Sequence, residues 1–235
     1  MRPYGWLILD ADGTLFDFQR AEARALQVTP IQMRLRVPPE FASTYHTIND
    51  SLWKQFESGE LRARDVRHQR FERLFEDLPL TGDPQAFSET FLKNLIREST
   101  FLEGAEAFLS LARNCSNLVL MTNGFADVQR ARIEQLGLED MFDHVIISEE
   151  LGVAKPSQGI FDIAFEHMGY PGKAAVLIVG DSLSSDIRGG ADYGIDTCWF
   201  NPERRANTTG IEPTYEVRYL DEIVQLLAST EANCG

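Results

Sequence analysis

The sequence predicts an α/β fold in which a doubly wound parallel sheet carries an inserted, all-helical domain. Residues 6–9 form an unbroken apolar run, which is typical of a strand buried on both faces, as in a parallel sheet. From residue 101 onward, short apolar runs alternate with helical patterns, which is typical of consecutive β-α units. Residues 17–100 show only helical patterns, so they predict a separate helical domain. We therefore expect a Rossmann-like core from residues 1–16 and 101–235, and a helical domain from residues 17–100.

Composition narrows the possible partners. The chain has 235 residues, of which 43% are hydrophobic, and its formal net charge is −14. Such a charge repels polyanions, so we expect neither a nucleic-acid polymer nor an anionic membrane as partner. No apolar run approaches the roughly 20 residues of a membrane span. The three cysteines lack disulfide or metal-site spacing, which favours a reducing cytoplasm.

Four helices are predicted in the inserted segment. The first covers residues 19–28 and ends near Pro30, and the second runs from Pro38 or Pro39 to Ser58, before Gly59. The third covers residues 61–78, and the fourth follows a turn at residues 81–84 and ends near residue 99. The second helix has an apolar stripe at helical spacing that predicts its buried face. Its members are Phe41, Tyr45, Ile48, Leu52 and Phe56.

Strands and helices alternate through the rest of the chain. The predicted strands after the first cover residues 118–121, 144–148, 176–179 and 196–200, with an edge strand at 215–217. Helices are expected over residues 104–113, 126–136, 158–168 and 220–227, and in a segment that ends at residue 193. This alternation favours parallel pairing with helices on both faces of the sheet.

Two carboxylates follow the first strand directly. Side chains two residues apart on an extended chain point the same way, so Asp10 and Asp12 face one spot, and Gly13 permits a sharp turn there. Like charges in one place need a cation or a shared proton. The pair predicts a nucleophile and an acid/base group around a divalent metal. The alternative is a solvated turn after a core strand, because Asp and Gly are ordinary turn residues.

Polar residues also follow three of the other strands. In a parallel sheet the carboxyl ends of the strands lie along one edge, so we expect these side chains to meet Asp10 and Asp12. Each has an ordinary alternative as a turn residue, a loop lysine or a helix cap. The residues are Thr122, Asn123 and Gly124 after the second strand, Lys155 beyond the third, and Asp181 and Asp186 after the fourth.

These motifs and their order resemble the haloacid dehalogenase-like superfamily of phosphohydrolases. The matching features are the Asp-x-Asp-Gly-Thr start, the Thr-Asn-Gly strand end, the Lys-Pro pair and the Gly-Asp with a later Asp. The inserted helices resemble the helical cap of that superfamily. The resemblance implies that Asp10 attacks phosphorus to form an aspartyl-phosphate, and that Asp12 protonates the leaving oxygen and then activates water. The groups implied to hold the phosphoryl oxygens are Thr122, Asn123, Gly124 and Lys155.

The resemblance also implies a metal ion. Mg²⁺ would bind Asp10, the main-chain carbonyl of Asp12, and Asp181, with waters completing its six oxygen ligands. Asp186 would orient a bound water or Lys155 from outside the ligand set.

Three further segments resemble the bacterial noncanonical pyrimidine nucleotidases. They cover residues 47–54, 148–156 and 196–202, so this likeness includes the inserted helices. It implies a 5′-nucleotidase acting on a small phosphorylated metabolite, a nucleoside monophosphate. The sequence does not predict the oligomeric state.

Three other functions are compatible with some of these motifs. A phosphosugar phosphatase or mutase would keep every core motif. A 2-haloacid dehalogenase lacks the second acid, so Asp12 argues against it. A non-catalytic binding module would gain nothing from clustered carboxylates.

The second predicted helix carries another stripe, beside the apolar one. His46, Asn49 and Trp53 recur at spacings of three and four residues, so they share one face of the helix. This semi-polar face is a candidate contact for the base and sugar of the substrate. The alternative is that Trp53 only widens the core of the helical domain.

Overall fold

The structure, a computed structural model, describes residues 4–228. The chain divides into two compact units, which are described separately. The α/β unit comprises the residues up to Asp17 and those from Thr100 onward, and the helical unit comprises Phe18–Ser99. That the two fold as independent domains stays a prediction. No helix within residues 4–228 is long and apolar enough to cross a membrane.

A six-stranded sheet forms the centre of the α/β unit. All five strand pairs are parallel, and the strand order is β3-β2-β1-β4-β5-β6. The doubly wound parallel sheet predicted from the sequence is confirmed, because the order runs outward from β1 in both directions. The strands are β1 (Trp6–Leu9), β2 (Asn117–Thr122), β3 (His144–Ile147), β4 (Val176–Gly180), β5 (Asp196–Phe200) and β6 (Tyr215–Val217).

The register of the central strands brings the polar strand ends together. Leu9, the last residue of β1, pairs with Leu120 on one side and with Val179 on the other. Thr122 and Asp181 each follow their paired residue by two positions, as Ala11 follows Leu9. The last residue of β2 and the residues just after β1 and β4 therefore lie at one level of the sheet edge.

Alternate residues of β1 enter two different cores, which explains why the strand has no polar position. Leu7 and Leu9 pack on one face with residues such as Phe108, whereas Ile8 packs on the other with Phe161. All of these side chains are buried. A strand covered by helices on both faces has no solvated side, so every position is apolar.

The helices of the α/β unit follow the predicted order, with three additions. Ser148 begins a short helix rather than ending β3, a 3-10 turn at Lys173–Ala175 precedes β4, and a single π-helical turn at Leu183–Ile187 precedes α9. The helices, numbered along the whole chain, are α5 (Ala105–Cys115), α6 (Ala126–Gln135), α7 (Ser148–Leu151), α8 (Gln158–His167), α9 (Arg188–Tyr193) and α10 (Leu220–Ala228). Within residues 4–228, neither Cys115 nor Cys198 forms a disulfide, and Cys234 lies outside the described residues.

The helical unit packs four helices around aromatic rings. The rings of Tyr45, Phe71 and Phe91 lie 5.1–5.6 Å apart between centroids and are fully buried. Four of the five predicted stripe residues on α2 are buried, and Phe56 is half-buried. The helices are α1 (Phe18–Gln32), α2 (Phe41–Glu57), α3 (Ala63–Asp77) and α4 (Pro84–Arg97).

The predicted end of the first helix is wrong. Helix α1 continues through Pro30 to Gln32. A proline in a helix lacks the N–H that would bond to the carbonyl four residues earlier, and only Ile31 and Gln32 follow it in α1. The hydroxyl of Thr29 also donates to the carbonyl of Ala25 at 2.7 Å, which adds a side-chain bond in the last turns.

Candidate active site

Asp10 lies at the carboxyl end of β1, where the sheet edge begins. Its side chain is nearly buried, and its main-chain N–H donates to the carbonyl of Val179 at 3.0 Å. Lys155 Nζ donates to Oδ1 of Asp10 at 2.6 Å, and the hydroxyl of Thr14 lies 3.3 Å from Oδ2. The carboxylate is thus oriented by an ammonium on one oxygen and a hydroxyl on the other.

The ammonium group of Lys155 is fixed by three hydrogen bonds. Besides Asp10, its ammonium donates to Oδ1 of Asp186 at 2.6 Å and to the carbonyl of Met121 at 2.8 Å. Three donors with three acceptors satisfy a buried ammonium completely. The side chain of Asn123 exchanges two 3.0 Å bonds with the main chain of Lys155, which fixes the segment that carries the lysine. The predicted role of Asn123 at the phosphoryl group stays a prediction.

The charges of this site act on one another. Burial raises the pKa of Asp10, while the Lys155 ammonium opposes that rise. Burial alone would lower the pKa of Lys155, but the carboxylates of Asp10 and Asp186 outweigh it and hold the pKa above its ordinary value. The lysine is therefore a permanent positive charge beside the nucleophile candidate.

Asp181 and Asp186 complete an acidic cluster with Asp10. One carboxylate oxygen from each of the three lies within 4.8 Å of the others. Burial, followed by the charge of Asp186, raises the pKa of Asp181 to about 7. Gly13 is required beside it, because its φ is +80° and an added Cβ would lie 2.8 Å from Oδ2 of Asp181.

The loop after β5 reaches Asp181 from a second direction. Arg205 donates to the main-chain carbonyl of Asp181 at 2.7 Å, and its guanidinium lies 3.6 Å from Oδ2. The indole N–H of Trp199 donates to the same carbonyl at 3.0 Å. Asn201 accepts from the Arg205 N–H at 2.8 Å and so shapes this loop. Sequence reasoning missed Arg205, because its loop shows no motif.

The second acid, Asp12, is held by residues of α6 that sequence reasoning also missed. Gln129 donates to Oδ2 of Asp12 at 2.7 Å and to the hydroxyl of Thr122 at 2.9 Å, and Arg132 pairs with Oδ1. Gly124 donates its N–H to the same hydroxyl at 3.1 Å. Gln129 and Arg132 occupy the buried face of α6 together with apolar residues. A polar pair within a buried stripe is the only signal that could have found them.

The donor set suits a hard divalent cation. Three carboxylates surround one ammonium here, so the cluster has an excess of negative charge that a cation would offset. Oxygen is the only ligand type present, which fits Mg²⁺ better than a thiolate- or imidazole-binding metal. Asp186 accepts from Lys155 on Oδ1 and from the Ser182 N–H on Oδ2, whereas, among the described residues, Oδ2 of Asp10 accepts only the 3.3 Å bond from Thr14. Asp10 and Asp181 are therefore the carboxylates better placed to bind the ion.

The predicted substrate residues lie within the helical unit. His46 is half-exposed, lies 3.5 Å from Glu22, and lines a pocket of about 350 Å³ formed by α1, α2 and the intervening loop. Trp53 is half-buried, with its ring edge-on to Phe56 at 5.4 Å. Asn49 is buried, and within the described residues its Oδ1 has no hydrogen-bond partner. Whether this face contacts a substrate stays a prediction.

A family model for haloacid dehalogenase-like hydrolases matches residues 4–194. The chain belongs to this family. The match contains every predicted motif of the sheet edge, from Asp10 to Asp186, so the sequence resemblance to the superfamily is confirmed.

Two relatives match this chain over nearly its whole length. The chain is 38% identical over 224 residues to pyrimidine 5′-nucleotidase YjjG of Escherichia coli, covering 95% of this chain and 98% of the relative. It is 32% identical to pyrimidine 5′-nucleotidase PynA of Streptococcus pneumoniae, covering 95% of each.

A solved structure supports the fold. The chain resembles the magnesium-bound crystal structure of the HAD-hydrolase YfnB from Bacillus subtilis with a TM-score of 0.87 and 33% sequence identity. The match covers 95% of this chain and 98% of that one. The likeness therefore extends over the helical unit as well as the α/β unit.

Proposed function

We propose that this hydrolase cleaves phosphate monoesters through an aspartyl-phosphate, and that its substrates are pyrimidine nucleoside 5′-monophosphates. The observation that carries the proposal is the carboxylate of Asp10 at the end of β1, paired at 2.6 Å with the buried ammonium of Lys155. Asp12 lies two residues further along the chain. A nucleophile and a separate acid/base group are what a two-step phosphoryl transfer requires.

The steps follow from these residues. An oxygen of Asp10 attacks phosphorus, the bond between phosphorus and the ester oxygen breaks, and Asp12 gives its proton to that oxygen. Asp12 then takes a proton from water, which attacks phosphorus, releases phosphate and restores Asp10. Lys155 offsets the charge that builds up as one anion attacks another. Thr122 donates a hydrogen bond from its hydroxyl to a phosphoryl oxygen, since the hydroxyl oxygen already accepts hydrogen bonds from Gln129 and Gly124.

The proposed cofactor is Mg²⁺, held by Asp10, Asp181 and the main-chain carbonyl of Asp12. When bound, it neutralises the carboxylates and the phosphoryl group so that the two anions can approach each other. Asp186 supports the site from outside, through Lys155 and through the 3.1 Å bond that it accepts from the Ser182 N–H.

The substrate class rests on the two nucleotidase relatives, which match this chain over nearly its full length. We infer that α2 contacts the nucleoside through His46, Asn49 and Trp53. A phosphosugar phosphatase or mutase is the alternative, and the cytoplasmic location stays a prediction.

The test is phosphate release from a substrate panel. We expect the highest kcat/KM on a pyrimidine nucleoside monophosphate, lower values on purine nucleotides and sugar phosphates, and no activity in EDTA until Mg²⁺ is restored. Higher kcat/KM on a sugar phosphate would favour the alternative substrate class. Asp181→Ala should raise the Mg²⁺ concentration that gives half-maximal activity, and an unchanged requirement would remove Asp181 from the ligand set.

A further inference from the structure

Both oxygens of the Asp12 carboxylate are engaged by one helix. Arg132 pairs with Oδ1, and Gln129 Nε2 donates to Oδ2 at 2.7 Å. The two α6 residues also contact each other, because Arg132 donates to Oε1 of Gln129 at 3.2 Å. A carboxylate bound at both oxygens by donors from a single helix has one preferred orientation.

Gln129 ties this acid to the phosphoryl-binding strand end. The same Nε2 donates to Thr122 Oγ1 at 2.9 Å, so a single amide spans the acid/base group and a proposed phosphoryl contact. Gly124 leaves room for that amide, since an added Cβ would lie 2.2 Å from Nε2. Asp12 and Thr122 are therefore both held within hydrogen-bond distance of one nitrogen atom.

Arg132 is itself fixed in place. Its side chain is 1% exposed, and its guanidinium lies 4.7 Å above the ring of Phe16. Phe16 is joined to the chain around Asp12 by a backbone bridge, and its carbonyl accepts from the Gly13 N–H at 3.0 Å. The guanidinium is thus held against the same turn whose carboxylate it binds.

A purely structural role explains this arrangement poorly. The Asp12 side chain is 28% exposed and could be solvated by water, whereas Arg132 is almost entirely removed from it. Burying a guanidinium to pair with a partly exposed carboxylate is a weak source of stability, because the desolvation of the arginine opposes the attraction. The arrangement does fix the position of Asp12.

We propose that Gln129 and Arg132 are positioning residues that hold Asp12 for proton transfer to the leaving oxygen. This inference rests on the acid/base role of Asp12 in the proposed function. The amide of Gln129 is itself oriented, because its Oε1 accepts from Arg132 and its Nε2 donates to Thr122. Removing either residue leaves the nucleophile, Asp10, untouched but allows the acid to move.

The consequence is a dependence on the leaving group. An alkoxide needs a proton as it departs, whereas p-nitrophenolate is stable without one. Misplacing the acid should therefore slow the first step, in which the leaving group departs, for alkyl phosphates and spare it for p-nitrophenyl phosphate. The value of kcat/KM reports that step, because hydrolysis of the aspartyl-phosphate is common to all of these esters. General acid–base catalysis contributes about 10²–10⁴-fold, so losing the position of the acid should remove about 10-fold or more of it.

The experiment measures the hydrolysis of three esters by the wild type and by Gln129→Met. This substitution keeps the length of the side chain and removes both the NH₂ and the carbonyl oxygen of its amide. The esters are p-nitrophenyl phosphate, glycerol 2-phosphate and uridine monophosphate. We expect kcat/KM for the two alkyl esters to fall about 10-fold further than kcat/KM for p-nitrophenyl phosphate. Arg130→Gln is the matched control, because Arg130 lies on the same helix, is half-exposed, and pairs with Glu150 at 2.8 Å. It should change none of the three.

Arg132→Lys supplies a second variant that keeps the charge but not the forked geometry. It should show the same leaving-group dependence in weaker form, with melting temperatures measured alongside. Equal losses on all three esters, or lower melting temperatures with unchanged leaving-group dependence, would overturn the proposal. If the wild type hydrolyses glycerol 2-phosphate but no nucleotide, the nucleotidase function fails while the leaving-group test remains valid.

Discussion

The α/β unit and the helical unit both bury charged side chains, but the two clusters differ in their balance. In the helical unit, Glu22 accepts from the Tyr45 hydroxyl at 2.9 Å, and Arg70 donates to that hydroxyl at 3.4 Å. Arg70 also lies 5.0–5.1 Å above the rings of Phe71 and Phe91. This network links one buried carboxylate and one buried guanidinium through the Tyr45 hydroxyl, across α1, α2 and α3.

The cluster in the α/β unit does not balance. Asp10, Asp181 and Asp186 surround the single ammonium of Lys155, and Arg205, the other cation at Asp181, is half-exposed. A balanced buried network stabilises a fold or gives it a unique packing, whereas an excess of one sign has to be offset by a ligand. Buried charge alone does not indicate a binding site, but unbalanced buried charge at the edge of a parallel sheet does.

The largest expected effect comes from removing the proposed nucleophile, Asp10. Asp10→Asn should lower kcat by at least about 10³-fold, because an amide cannot form the phosphorylated intermediate. Phosphate release from the preferred substrate measures it, with Asp140→Asn, an exposed change, as the control. Turnover within tenfold of the wild type would refute the mechanism.

A substitution in the balanced network of the helical unit should lower the stability of the protein and leave its kcat unchanged. Arg70→Met removes the guanidinium that donates to the Tyr45 hydroxyl and lies near the buried Glu22, so the free energy of unfolding should fall by about 1–3 kcal/mol. Denaturant unfolding measures the change, and Arg64→Met on the exposed side of α3 should stay within about 0.5 kcal/mol. A lower kcat in folded Arg70→Met would show that the helical network also serves catalysis.

A substitution at Trp53 tests whether helix α2 contacts the base of the substrate. If its ring stacks on a base, Trp53→Ala should lower kcat/KM for a nucleoside monophosphate by an amount equivalent to about 1–3 kcal/mol and leave acetyl phosphate unaffected. Equal losses on both substrates, or a lower melting temperature with unchanged kinetics, would assign Trp53 to packing against Phe56.

The smallest expected effect is a pH dependence of stability. The pKa of Asp181 is raised from 3.8 to about 7 in the folded protein, so between these values the folded state binds a proton that the unfolded state lacks. The stability of metal-free protein should therefore fall as the pH rises from about 4 to about 7, by roughly 1 kcal/mol or 2–4 °C after solvent screening.

Mg²⁺ competes with that proton, so it should raise the melting temperature more at pH 8 than at pH 5. Asp181→Asn is the matched variant, and it should remove most of this pH dependence from the metal-free protein. A pH dependence that survives in Asp181→Asn would assign the proton to another group.

Much of the active site could be predicted from the sequence because its residues follow strands. Asp10, Thr122 and Asp181 come directly after apolar runs, and parallel pairing brings such strand ends to one edge whatever the helices do. The same reasoning could not find Gln129 or Arg132. Their contact with Asp12 depends on which face of α6 turns inward, and the pattern of that helix mixes polar and apolar residues on its buried side.

The sequence by itself determined the parallel sheet, the inserted helices and the order of the acidic residues, since these depend on local patterns of hydrophobicity and turn residues. Only the tertiary structure decided which charges pair. It placed Lys155 between Asp10 and Asp186, joined Arg132 to Asp12, and buried Asn49. Pairing depends on side chains that are far apart in the chain, and their distances are set by how helices pack on the sheet, which no local pattern contains.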